Sequence, residues 1–319
     1  MNRNLCKKGL VLGIIFLFVG AGVVPSISGD NSNFGNILYV DDDNTEGPWD
    51  GTQEHPYQYI QDGIDAASDG DTVYVYSGTY YENVKINKSN IKLEGENRNT
   101  VIIDGGRNGD VIRIPSTIDN IYEKIRIQKF TIQNGDQNGI FNQFAEDVQF
   151  SQCIIKNNTY GIRFWHTTGG EIYQNIISNN DYGIFLEFAD HLSIDRNCIH
   201  NDHTGILCDT SDSIDISHND IRHCNRLGIY ILRGIDSKNV NNINKNNFID
   251  NNKHASFKKH RIGDCKNKWN GNYWDNLPSR VIGIKPIQGV WEFTRFDLTF
   301  PWIQIDWRCS KEPYEIECS

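Results

Sequence analysis

The chain has 319 residues, 41 acidic against 31 basic side chains, and a formal net charge of −10 at pH 7. That acidity argues against a protein that grips nucleic acid through its phosphates. Solubility accounts for it as well as any partner does, so charge alone names no ligand.

In chain order, the first 28 residues read as a secretory signal peptide: Arg3, Lys7 and Lys8, an apolar run over 9–24, then small residues one and three before a cut after Ser28. The run is short for a membrane span, and no later segment is apolar enough to cross a bilayer. Cleavage leaves seven cysteines: Cys153, Cys198, Cys208, Cys224, Cys265, Cys309 and Cys318. An odd number leaves at least one without an intramolecular partner. Cys309 and Cys318 are placed to pair in an oxidising compartment, and Cys208 reads as a small core residue.

Residues 29–36 are polar, and 37–40 form an opening strand. Asp41, Asp42 and Asp43, with Asp50 nearby, offer oxygen ligands for calcium, although the spacing fits no EF-hand and an acidic loop is the plainer reading. Ile60, Ile64 and Ala67 share one face at helical spacing, which predicts a helix over 57–68 stopped by Gly70. Strand-like pieces follow at 72–76, 84–86, 91–93 and 101–103. A solenoid needs its open ends covered, and this helix is placed to plug the first coil.

The pairs Gly139-Ile140, Gly161-Ile162, Gly183-Ile184, Gly205-Ile206 and Gly228-Ile229 recur at spacings of 22, 22, 22 and 23 residues. A period of that size marks a solenoid or array. Within each unit apolar residues alternate at strand period. Ile162, Ile184 and Ile206 form one column with Phe164, Leu186 and Cys208 two residues on. Phe150, Ile172, Ile194 and Ile216 form a second, and Ile155, Ile177, Ile199 and Ile221 a third. Asparagines mark the bends at Asn175, Asn197 and Asn219, and at Asn157, Asn179 and Asn201. Three short strands and three bends per unit define a coil of an all-β, single-stranded right-handed parallel β-helix, with an N-terminal capping helix and an irregular C-terminal cap. The divisions are 1–28 signal peptide, 29–72 N-terminal strand and capping helix, 73–265 β-helix, and 266–319 C-terminal cap.

The segments Pro56-Tyr57-Gln58-Tyr59-Ile60-Gln61-Asp62-Gly63-Ile64-Asp65-Ala66-Ala67, Gly70-Asp71-Thr72-Val73-Tyr74-Val75 and Gly78-Thr79-Tyr80-Tyr81-Glu82-Asn83-Val84 resemble the entry of right-handed β-helix proteins of the pectate-lyase-like superfamily. The repeats resemble NosD-type and carbohydrate-binding or sugar-hydrolase β-helix modules. Gly271-Asn272-Tyr273-Trp274-Asp275 is similar to the C-terminal end of many such secreted chains. The resemblance implies the fold and leaves activity open, because this fold hosts several functions. Signatures of the pectin methylesterases, polygalacturonases and alginate epimerases are missing, so Glu82, which matches the Gly-x-Tyr-x-Glu entry, is implied to be structural.

If the first and third positions after each glycine point inward, the second and fourth face solvent. They bring Arg163, Trp165, Phe185 and Tyr230 to one face, with His166 at the adjoining bend. Aromatic rings stack on sugars, and arginine pairs with uronate carboxylates. Glu187 and Asp209 share an outward column on adjacent coils, about 5 Å apart, a separation that suits a general acid–base pair. The first expectation is therefore a secreted or cell-surface protein that binds polysaccharide or a cell-surface glycan on this face. The alternatives are a lyase, hydrolase or epimerase using Glu187 and Asp209, and a structural surface protein without ligand. Copper handling by His200, His203, His218 and His223-Cys224 ranks last, since these fall in different columns and no methionine accompanies them.

Overall fold

The glycine of each repeat is required by the coil above it. A Cβ on Gly139, Gly161, Gly183, Gly205 or Gly228 would lie 2.5–2.7 Å from a backbone carbonyl oxygen of the next coil. No side chain fits there, so the 22-residue beat records a close backbone approach.

The computed structural model describes residues 35–232, 239–259, 267–277, 283–293 and 298–317, and these form an all-β parallel solenoid with the single helix α1, Ile60–Ala66. The coil that starts at Tyr160–Trp165 shows the plan. After that strand the chain bends into Gly170–Tyr173, turns at Asn175 into Ile176–Ser178, and turns again into the next coil. Each strand pairs in parallel with its equivalents one coil away, as Ile162 does with Ile184 and Ile140. The three strand positions make three faces. The face of Tyr160–Trp165 is called the glycine face below, and that of Gly170–Tyr173 the middle face.

All three expected apolar columns point inward. Ile162, Phe164, Ile172, Ile194, Ile177, Ile199, Ile221 and Cys208 are fully buried. A single coil cannot shield its own apolar side, so neighbouring coils fold as a unit.

Asn175, Asn197 and Asn219 form the first bend ladder, and Asn246 and Asn272 extend it. Asn197 accepts from the backbone N–H and the side chain of Asn175 at 3.0 Å each. It donates to the carbonyl of Ile172 at 2.8 Å and to Asn219 Oδ1 at 2.9 Å. The second buried ladder is not formed by the bend residues Asn157, Asn179 and Asn201. It lies one residue later, at Asn158, Asn180 and Asp202. The earlier column supplies the turn instead, with φ of 59°, 57° and 59° in the left-handed region that asparagine tolerates.

The helix starts later than its apolar spacing predicts. Tyr57 pairs with Val40, and Tyr59 is extended at φ −114°, so the chain is held as strand until Ile60. Two backbone N–H groups at the helix start, those of Ile60 and Gln61, donate to the two carboxylate oxygens of Glu82 at 2.8 and 3.0 Å. Burial pushes the Glu82 pKa up, and the two backbone N–H groups oppose that shift. Glu82 thus caps the plug helix from the coil below, a structural role as implied. Glu82→Ala is expected to lower the free energy of unfolding by about 1–2 kcal/mol, measured by urea denaturation.

At the other end the stack runs past residue 265. Lys268–Asn270 and Tyr273–Trp274 are strands of a further coil. The Asn272 rung is closed by Asp306, whose Oδ2 accepts from the Asn272 backbone N–H at 3.0 Å and from its Nδ2 at 2.8 Å. Asp306 belongs to an antiparallel hairpin of Lys285–Phe293 and Leu298–Asp306, which caps this end.

Cys309 is a free, buried thiol beside the Asp306 carbonyl, and Cys318, its expected partner, lies outside the described residues. Burial pushes the Cys309 thiol up to about 12. Cys198 is disulfide-bonded.

Candidate functional site

Arg163 is the centre of the glycine face. Its guanidinium lies 5.3 Å from the ring centres of Phe141 and Tyr160 and 5.4 Å from that of Phe185. Phe141 and Phe185 are its register neighbours on the coils before and after, so Arg163 fills a slot between two rings. Such a cation–π box holds the charge while keeping it only partly solvated. Arg113, one coil further back, stacks on the opposite side of Phe141 at 5.1 Å.

Arg163 also pairs with Glu187 at 2.7 Å, both side chains being about a quarter exposed. The pair runs diagonally, because Glu187 is in register with Trp165 and not with Arg163. Glu187 and Asp209 do occupy one column on adjacent coils. Their carboxylates have other partners: Glu187 takes Arg163, and Asp209 accepts from the Thr210 hydroxyl at 2.9 Å.

Two aromatic groups flank this centre. On one side Tyr160 and Tyr182 stack at 5.2 Å, and Phe185 lies 5.5 Å from Tyr160. On the other, Phe144, His166 and Phe188 stack on three successive coils at 5.4 and 4.6 Å. Trp165 stands edge-on to His166 at 5.0 Å. The three stacked residues sit at the same left-handed bend position, with φ of 58°, 52° and 52°. Phe188 is 43% exposed. Tyr230 lies two coils further along the column of Phe185 and is partly exposed. Structure therefore brings Arg163, Trp165, His166, Phe185 and Glu187 together and leaves Tyr230 at the edge. Tyr160 and Tyr182 were missed, although both stand immediately before a repeat glycine.

The acidic entry loop is built for its own turns. Asp42 accepts from the Thr79 N–H at 2.9 Å, Asp41 from Asp43 at 3.1 Å, and Asp50 from Thr52 at 3.0 Å. These bonds to Thr52 hold the Asp50 carboxyl below the usual range. Among the described residues no group of three or more His, Cys, Asp or Glu side chains is gathered to hold a metal ion.

A parallel β-helix with an asparagine-laddered core and a cation–aromatic strip on one face defines the class. The chain belongs to the NosD family: the model described as periplasmic copper-binding protein (NosD) matches residues 64–278. No curated protein matches the chain. Among solved structures it is similar to XylC in complex with xylose, at TM-score 0.57 and 11% identity over 74% of this chain and 67% of that one. It is also similar to the A-module of the Azotobacter vinelandii mannuronan C-5 epimerase AlgE4, at TM-score 0.54 and 17% identity over 73% and 75% of the two chains. The pectate lyase Pel9A gives TM-score 0.50 and 10% identity over 76% of each. At such identities these likenesses establish the shared fold.

Copper, which the family description implies, is not matched by the described residues. Methionine occurs only as Met1. The Cys153 thiol is fully buried and pushed up to about 12 by that burial, far from the thiolate that a soft metal requires. The histidines gather into no group of three or more metal-ligating side chains among the described residues: His218 bonds Asp195 at 2.9 Å, and the His200 pKa is lowered by burial and by nearby Arg222 and His223.

Proposed function

We propose that this protein is a secreted or cell-surface glycan-binding member of the NosD family, which docks polysaccharide along the glycine face. The observation that carries this reading is the cation–aromatic strip, where Arg163 is boxed by three rings and flanked by Trp165, His166 and Phe188. Aromatic side chains at one-coil spacing, about 4.8 Å, offer a linear, partly exposed track along which sugar rings can lie. The engagement of Glu187 by Arg163 and of Asp209 by Thr210 favours recognition over acid–base chemistry. A periplasmic family description fits export under a leader such as residues 1–28.

The test is affinity electrophoresis of residues 29–319 against neutral and uronate polysaccharides, with mass spectrometry for released products. Retardation by at least one polymer is expected, without products, and weakened about tenfold by Trp165→Ala. Products that vanish in Glu187→Gln would replace binding with catalysis. No retardation by any polymer would leave a structural role.

A further inference from the structure

We propose a second, separate saccharide site in the cleft between the middle face and the C-terminal hairpin. It does not rest on the reading of the glycine face. The cleft arises because the hairpin strand Leu298–Asp306 meets the last coil at one register position, Trp269 with Asp306. The rest of that strand pairs with its hairpin partner. A cleft of about 620 Å³ lies between them, within the range of small-molecule sites.

Its floor is the outward side of three consecutive coils. Asp215, Asn242 and Lys268 form one register column, and Asn244 and Asn270 belong to the next. Its wall carries Trp307, 64% exposed, and Ile303, 57% exposed. Asn244 Nδ2 donates to Asp215 Oδ1 at 3.1 Å, which orients both side chains and keeps the Asn244 carbonyl and the second Asp215 oxygen as acceptors.

This set points to a neutral sugar. Planar carboxamides and a carboxylate, repeated at the coil spacing of about 4.8 Å, match the alternating donors and acceptors of vicinal hydroxyls. An exposed indole supplies the stacking plate that a pyranose ring uses. A wholly apolar ligand would strip water from five polar side chains without replacing their hydrogen bonds. An anionic ligand would find one lining cation, Lys268, and would also face the Asp215 carboxylate two coils away in the same column.

The experiment is isothermal titration calorimetry of residues 29–319 with xylotriose, mannotriose, cellotriose and maltotriose. Such short sugars probe the cleft independently of polymer docking on the glycine face. Variants Trp307→Ala, Trp307→Phe and Asn244→Ala are compared, with circular dichroism to verify folding. At least one trisaccharide is expected to bind. Trp307→Ala and Asn244→Ala should each raise its Kd at least tenfold, and Trp307→Phe by no more than about threefold. Absence of binding by all four sugars, or binding unchanged in folded Trp307→Ala, overturns the proposal.

Discussion

Asn197→Ala is expected to destabilise the protein by about 3–5 kcal/mol, because buried groups left unsatisfied cost about 1–3 kcal/mol each. The substitution removes the acceptor of two Asn175 N–H donors and the donor to the Ile172 carbonyl. Asn175 and Asn197 are both fully enclosed, at 1% and 0% exposed, so water cannot replace the lost partners. Asn201→Ala is the control. It is exposed and left-handed, at φ 59°, and alanine there costs only about 1 kcal/mol of backbone strain. Equilibrium denaturation in guanidinium chloride measures both. Equal losses would mean that the ladder contributes no more than the turn.

Asp202→Asn is expected to act in the opposite direction, stabilising the protein by about 1–3 kcal/mol at neutral pH. Asp202 occupies a ladder position that Asn180 fills one coil earlier. Asn180 uses its Nδ2 to donate to the carbonyls of Ile155 and Ser178. Asp202 offers an oxygen there, and its Oδ2 is buried without a partner. Burial drives its carboxyl well above the usual range, against the bonds it accepts from Asn180. A group with a raised folded pKa keeps its proton in the native state and loses it on unfolding. Its contribution is therefore complete below the unfolded value. It declines as pH rises toward the folded one, by at most about 1.4 kcal/mol per pH unit. The carboxamide of the variant has no such titration. The gap between variant and parent should open from pH 4 upward and then level off. A gap independent of pH, measured by urea denaturation from pH 4 to 8, would mean that Asp202 does not hold its proton on folding.

The inward columns were legible because strand period and a fixed repeat determine side-chain direction with no tertiary information. Ile162, Ile172 and Ile177 needed only their spacing. The second ladder was not, because the turn residue and the rung residue are adjacent asparagines at Asn157-Asn158 and Asn179-Asn180. Either fits a bend, and only the backbone decides which turns inward. On the candidate face, the register of Glu187 with Asp209 was legible, but side-chain reach was not. The Arg163 guanidinium crosses diagonally to the next coil and takes the Glu187 carboxylate that register alone offered to Asp209. Asp306 and Trp307 carried no local signal. Their roles depend on where a hairpin distant in sequence comes to rest.

The ladder measures distance in coils and not in residues. The step from Asn219 to Asn246 spans 27 residues where that from Asn197 to Asn219 spans 22, yet the rung bond is 2.9 Å in both. The added chain falls between the strands Leu227–Leu232 and Asn242–Asn244, and Asp215–Ser217 still pairs with Asn242–Asn244 in unbroken register. Heredity can then edit such a molecule in two independent ways. Duplicating a coil extends the column with surfaces that already match, and lengthening a bend reshapes the rim without shifting any strand. A lineage built on this plan can remodel what it touches while leaving its spine unaltered.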